Sequence, residues 1–156
     1  MSAIYKQLGV ETIFEDEKIT LTKTNTALPV CLELDLVNAP DIAQTIAVTC
    51  FGLGISCNLS GLHTLKIKET DRLVALQNEI QKFGGTVHIT ENRLQLETFT
   101  SDYLENVKVA TYHDHRMAMA FAPLGLKVGF TITDADVVSK SYPDFWKDMH
   151  TLGLQF

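Results

Sequence analysis

The sequence holds little that would staple a fold, span a membrane or attract nucleic acid. Its three cysteines, Cys31, Cys50 and Cys57, are odd in number and lack metal-type spacing. A disulfide framework is therefore excluded, and they read as reduced, mostly buried thiols of a cytosolic protein. No apolar run approaches the ~20 residues needed to cross a bilayer, and the first residues lack a secretory-signal pattern. Positive charge is in deficit: 13 Lys and Arg against 19 Asp and Glu give a formal net charge of −6. That excludes nucleic-acid binding by bulk electrostatics, so any anion site must be local. No low-complexity stretch or linker interrupts the chain. What remains, over 156 residues, is 46% hydrophobic and 21% charged, the composition of one globular unit with a real core.

The chain resembles itself. "LGVETIFEDEKITLT" (Leu8–Thr22) aligns without gaps on "FGGTVHITENRLQLE" (Phe83–Glu97). Each copy closes a helix at glycine, Gly9 or Gly84, and continues as alternating apolar residues on both sides of a polar turn. The turns, Asp16-Glu17 and Glu91-Asn92, predict two β-hairpins, and "MHTLGLQF" begins the same phrase a third time. Pro40–Leu53 and Asp114–Leu126 each read as a largely buried helix. A β-rich run follows each, "ISCNLSGL" and "VGFTITDA", and then an amphipathic helix, over Lys68–Phe83 and Pro143–Leu152. In the first of these Leu73, Leu76, Ile80 and Phe83 recur at helical spacing. The expected unit is strand, buried helix, strand, amphipathic helix, hairpin: an α/β fold with mixed sheets and a period of roughly seventy residues. A chain that opens inside a helix is also expected to have been cut from something longer.

Four bases fall where helices are expected to start. Lys68 and Arg72 are four residues apart at one start, Arg116 follows the N-cap candidate Asp114, and Lys140 precedes Ser141-Tyr142-Pro143. Each placement opposes the helix dipole by ~0.3–1 kcal/mol. A rule broken repeatedly at equivalent places suggests function, and a bound phosphate or carboxylate would reverse the sign. The plainer reading stands beside it: Glu69 and Asp71 neutralise Lys68 and Arg72 on a solvated face, and Asp41 after Pro40 is an ordinary first-turn acid. Arg116 resists that reading, because its helix is otherwise apolar and a buried Arg needs a partner. The His113-Asp114-His115 triplet has too few further ligands at helical spacing for a zinc site.

Four segments carry a resemblance. "KETDRL", "DHRMAMAFAPLGL", "SKSYPDFW" and "PDIAQTIAV" are similar, in order, to signature segments of the 5-enolpyruvylshikimate-3-phosphate synthase family. The resemblance implies transfer of the enolpyruvyl group of phosphoenolpyruvate to the 5-hydroxyl of shikimate 3-phosphate, with release of phosphate, in a cytoplasmic enzyme of aromatic biosynthesis. It implies no metal and no organic cofactor, and membership of a family targeted by glyphosate. It further implies βαβαββ units, about two of the family's six being present. Residues 1–156 would form one partial, C-terminal domain: the end of a unit to about residue 30, a whole unit over 31–98 and most of a last one over 99–156.

Carried over by motif, Asp41 resembles the base that takes the hydroxyl proton and Glu69 the acid that protonates the methylene carbon of phosphoenolpyruvate. Lys68 would contact shikimate 3-phosphate. Arg72 and Arg116 would grip the phosphoenolpyruvate carboxylate, Lys140 would approach its phosphate, and His115 would lie nearby. The chain departs from the pattern at His63-Thr64 and at His113, where the family commonly has Asn. The family's N-terminal Lys-Ser…Arg segment, glycine loop and Ser-Ser-Gln segment have no counterpart, so the isolated chain is expected to be inactive and to require the rest of the enzyme as its partner. The alternatives are a non-catalytic anion-binding module and the relative that acts on UDP-N-acetylglucosamine.

Overall fold

The computed structural model describes residues 1–68, 70–99 and 102–155. Its elements run in chain order as α1 (Ser2–Gln7), β1 (Val10–Glu15), β2 (Lys18–Lys23), β3 (Cys31–Asp35), α2 (Ala43–Leu53), β4 (Ser56–Ser60), α3 (Arg72–Lys82), β5 (Val87–Ile89), β6 (Leu94–Leu96), β7 (Lys108–Val109), α4 (His115–Phe121), β8 (Thr131–Ile132) and α5 (Phe145–Thr151). The mixed α/β class expected from the alternating patterns is the one observed. β1 and β2 pair antiparallel, with Glu15 opposite Lys18 across Asp16-Glu17. A four-stranded sheet runs β3-β4-β6-β5, with β3 parallel to β4 and β6 antiparallel to both β4 and β5. β7 and β8 form a short parallel pair.

All three predicted helix ends are present. Gly9, Gly84 and Gly153 follow α1, α3 and α5 with φ of 79°, 94° and 101°, a conformation that costs glycine no Cβ clash. α2 rests on α4 and on the four-stranded sheet. It buries Ala43, Ile46, Ala47, Cys50 and Phe51, so its mostly apolar sequence reflects contact on several sides. Phe83, at the end of α3, ties the units together. Its ring lies 6.2 Å from Phe51, 6.2 Å from Phe121 in a stacked arrangement and 5.2 Å from Phe130 edge-on. Cys50 and Cys57 are buried where α2 meets the sheet and Cys31 is half-buried at the sheet's border. The Cys57 thiol is pushed far up by its hydrogen bond with Cys50 and by burial.

Helix starts differ from expectation. α3 begins at Arg72, because Asp71 accepts from the N–H groups of Leu73 (3.1 Å) and Val74 (3.2 Å) and so stands as N-cap. Lys68 is therefore extended and outside the helix. Pro40–Ile42 is a 3-10 turn ahead of α2. α4 gives way to 3-10 geometry over Ala122–Leu126, where Pro123 has no N–H to continue the ladder. Lys140 ends a 3-10 helix, Ala135–Lys140, and α5 begins only at Phe145, past Pro143. Two of the four bases, Arg72 and Arg116, lie in the first turn of a helix.

Gly61 explains how the loops of the first whole unit meet. At φ 76° it lies so close to Val37 that a Cβ would collide with the Val37 N and the Asp35 carboxylate. That close approach lays the turn around Pro40–Ile42 against the 3-10 helix His63–Ile67, which sets Asp41 opposite the chain entering α3.

Candidate active site

Asp41, Lys68, Arg72, Arg116 and Asp114 converge, although 75 residues separate the outermost two. Arg72 is the centre. Only 2% of its side chain is exposed; Nε donates to Asp114 Oδ2 at 2.6 Å and Nη1 to Asp41 Oδ1 at 2.8 Å. Asp114 is fully buried and divides its oxygens. Oδ1 caps α4 by accepting from the Arg116 N–H at 2.9 Å, and Oδ2 takes Arg72 together with the Gln44 side-chain amide at 3.2 Å. Asp114 thus caps its helix as expected, but its ion partner is Arg72 and not the Arg116 guanidinium.

Asp41 is half-exposed and meets three cations. Lys68 Nζ stands 3.3 Å from Oδ1, the oxygen that Arg72 also holds, and Arg116 Nη2 lies 3.7 Å from Oδ2. Arg116 Nη1 also donates to the Asp41 backbone carbonyl at 3.2 Å. Burial alone would raise the carboxyl pKa. The Lys68 hydrogen bond and the charges of Arg116, Lys68 and Arg72 outweigh it and hold the group below its ordinary value. Arg116, expected to be buried, keeps 40% of its side chain in solvent, as do Lys68 and Asp41 in similar measure. The buried arginine is Arg72.

His115 opens α4 with Nδ1 4.0 Å from Asp114 Oδ1. Lys140 is exposed and forms no ion pair among the described residues. Glu69 lies outside the described residues. Thr64, in the 3-10 helix before Lys68, has a buried hydroxyl without a hydrogen-bond partner among the described residues. His113 pairs with Asp134 at 3.1 Å, and no group of three or more His, Cys, Asp or Glu gathers as a metal site among the described residues.

Two supports escaped the sequence reading. Gln44 reads, with Thr45 and Thr49, as one of a few polar residues in an otherwise apolar helix, and its amide turns out to bind Asp114. Glu79 is fully buried on α3 and accepts from Lys82 Nζ (2.6 Å), the Tyr112 hydroxyl (2.7 Å) and the Ala110 N–H (3.0 Å). It fixes the strand leading to Tyr112 and His113, both left-handed at φ 55° and 56°. Non-glycine residues pay roughly 1–2 kcal/mol each for that conformation. The sharp turn aims Asp114 back at Arg72. An acid at helical spacing from Ala75 and Leu76, on the apolar face of α3, was the available signal.

The sequence profile of the EPSP synthase (3-phosphoshikimate 1-carboxyvinyltransferase) family matches residues 1–149. The chain belongs to this family. It is 39% identical over 155 residues to a 3-phosphoshikimate 1-carboxyvinyltransferase of Bacteroides fragilis, covering 97% of this chain and 37% of that protein. It is 32% identical over 146 residues to a namesake of Buchnera aphidicola, covering 93% of this chain and 33% of that protein. The chain thus spans little more than a third of the curated relatives it matches. A solved structure of EPSP synthase from Acinetobacter baumannii superposes with a TM-score of 0.80 at 21% identity, over 98% of this chain and 38% of that one, and shows the shared fold.

Proposed function

We propose that this member of the EPSP synthase family carries one wall of the site in which the enolpyruvyl group of phosphoenolpyruvate passes to the 5-hydroxyl of shikimate 3-phosphate. The observation that carries the reading is a single half-exposed carboxylate, Asp41, held by Lys68, Arg72 and Arg116. Three cations on one such acid are a site prepared for further negative charge. Arg72, locked on Asp114, is a fixed element, while Arg116 and Lys68 turn partly to solvent, where a carboxylate or phosphate can take them over.

The chemistry follows from that exchange. In the empty site Asp41 is a weak base, because three cations favour its charged form. An anion that draws Arg116 and Lys68 away raises its proton affinity, so substrate binding itself prepares Asp41 to accept the hydroxyl proton. Glu69 is the proposed acid for the methylene carbon. Lys140 would reach the departing phosphate, and His115 would border the site. Fixed cations stabilise charge on the leaving phosphate and on a tetrahedral adduct without reorganisation. No step requires a metal or organic cofactor.

In the same reading residues 1–156 form one partial, C-terminal domain of the βαβαββ kind, with units ending near residues 30 and 98. The remainder of the enzyme supplies the opposite wall, and the chain alone does not turn over. Three free cysteines support a cytoplasmic setting. No helix among the described residues is long and apolar enough to cross a membrane, and the acidic net charge argues against a nucleic-acid partner.

A backbone-amide NMR titration with phosphoenolpyruvate, with sulfate as control, tests the reading. Shifts clustered at Lys68, Arg72, Asp114–Arg116 and Lys140, and absent with sulfate, are expected. Equal response to both ions would instead mark a general anion-binding module, and phosphate release by the isolated chain would contradict the half-site.

A further inference from the structure

α3 grips the segment ahead of α4 at two points. Arg72 and Glu79 lie on one face of the helix, about 10.5 Å apart along its axis, and both side chains are buried. Arg72 takes Asp114. Glu79 takes the chain just before it: Oε2 accepts from the Ala110 N–H at 3.0 Å and Oε1 from the Tyr112 hydroxyl at 2.7 Å. Lys82 Nζ completes this second grip, donating to Glu79 Oε2 at 2.6 Å and to the Lys108 carbonyl at 2.9 Å.

Between the two points the backbone reverses. The Asp114 N–H donates to the Thr111 carbonyl at 2.9 Å, and the enclosed residues, Tyr112 and His113, have φ of 55° and 56°. A four-residue turn with both central φ values positive is the province of Asn, Asp and Gly, because bulky L-residues crowd their own backbone there. Tyr and His are unusual occupants, and their side chains part company. The His113 ring is 93% exposed and pairs with Asp134 on the surface, where such a contact holds little. Tyr112 turns inward to Glu79. Burial and the Glu79 carboxylate push the Tyr112 hydroxyl pKa up, so the group stays a donor. Glycine, the easiest occupant of the turn, has nothing to give Glu79.

The direction in which the chain leaves this turn decides the site. Asp114 emerges with Oδ2 on Arg72 and Oδ1 on the Arg116 N–H. Arg116 then reaches the Asp41 carbonyl at 3.2 Å and its carboxylate at 3.7 Å. We propose that Tyr112 and Glu79 are positioning residues of the site: the bond between them holds the left-handed turn and so sets Arg72 and Arg116 against Asp41. Strain kept at a site by surrounding contacts is a form of preorganisation, and here the contact is one hydroxyl on one buried acid. The inference rests on the catalytic reading for the task of Asp41, while the geometry it claims is measured without ligand.

Arginine side-chain NMR of the ligand-free chain at neutral pH tests it, through guanidinium rotation about the Cζ–Nε bond, which contacts with Asp41 and Asp114 slow. Tyr112→Phe keeps the ring and removes one hydroxyl. It is expected to speed that rotation in Arg116 at least about threefold, the weight of one ordinary hydrogen bond, with circular dichroism unchanged. Amide exchange at Leu76 and Ile80, inside α3, is expected to rise by less than the arginine rotation. Tyr112→Gly suits the turn's backbone but lacks the hydroxyl, and is expected to release the arginines as well. Wild-type arginine rotation in either variant overturns the proposal. So does a loosening spread evenly over α3, which would mark Tyr112 as a packing residue alone. A phosphoenolpyruvate titration is read separately: arginines released in the variants, with no response to phosphoenolpyruvate in the wild type, would uphold the positioning and remove the catalytic reading.

Discussion

Asp41 and Asp114 are both carboxylates beside Arg72, yet the fold assigns them different work. Asp114 has no solvent and three donors, so its charge is committed to structure. Asp114→Ala leaves the Arg72 guanidinium without its buried partner and is expected to cost on the order of 3–5 kcal/mol in urea denaturation. Asp41 is adjustable. Its lowered pKa means that its ion pairs stabilise the fold fully above the ordinary carboxylate value of about 3.9. That contribution is lost as pH falls through the lower folded value. Denaturation midpoints of wild type and Asp41→Asn should therefore converge in acid, and a constant gap would refute the pairing. Of these assignments, Asp114 as a cap was legible in "HDHR", since a cap interacts within its own turn. Its bond to Arg72 was not, because it joins residues 42 apart and no local rule reaches so far.

Element boundaries show where charge patterns mislead. The run from Lys68 to Arg72 looks like one basic helical face, but Asp71 binds two backbone N–H groups and moves the start to Arg72. The same acid that reads as a neutralising neighbour in sequence is the cap in space. Asp71→Ala is expected to destabilise the chain by about 1 kcal/mol and to broaden the Arg72 side-chain signals, since the first residue of α3 then frays. Unchanged stability would mean that the ion pairs alone hold the helix end. The opposite ends were fully legible: glycine after an apolar periodic run marks the left-handed stop at Gly9, Gly84 and Gly153. Lys140 was misplaced for a related reason, as Pro143 suits a first helical turn and nothing local reveals that α5 waits for Phe145.

At the scale of the molecule, the repeat was readable because alternation and helical spacing survive wherever a face is buried. The α/β class and both hairpins follow from it. The links between units were not readable, because Glu79, Gln44 and Phe83 act across segments that sequence spacing does not relate. Phe83 is the strongest of these, fully buried against Phe51, Phe121 and Phe130. Phe83→Ala is expected to cost roughly 3–5 kcal/mol, with a lower urea midpoint and an unchanged slope. A lowered slope would instead report that the two halves unfold separately.

The cysteine pair at the seam of α2 and the sheet has a use of its own. Cys50 and Cys57 are sealed, and the Cys57 thiol is held far from ionisation, while Cys31 is partly open to reagent. Alkylation proceeds through the thiolate, so the native chain should take up one label quickly. The second and third labels then become a clock for the parting of α2 from its sheet, read by mass alone, with no dye, tag or engineered probe.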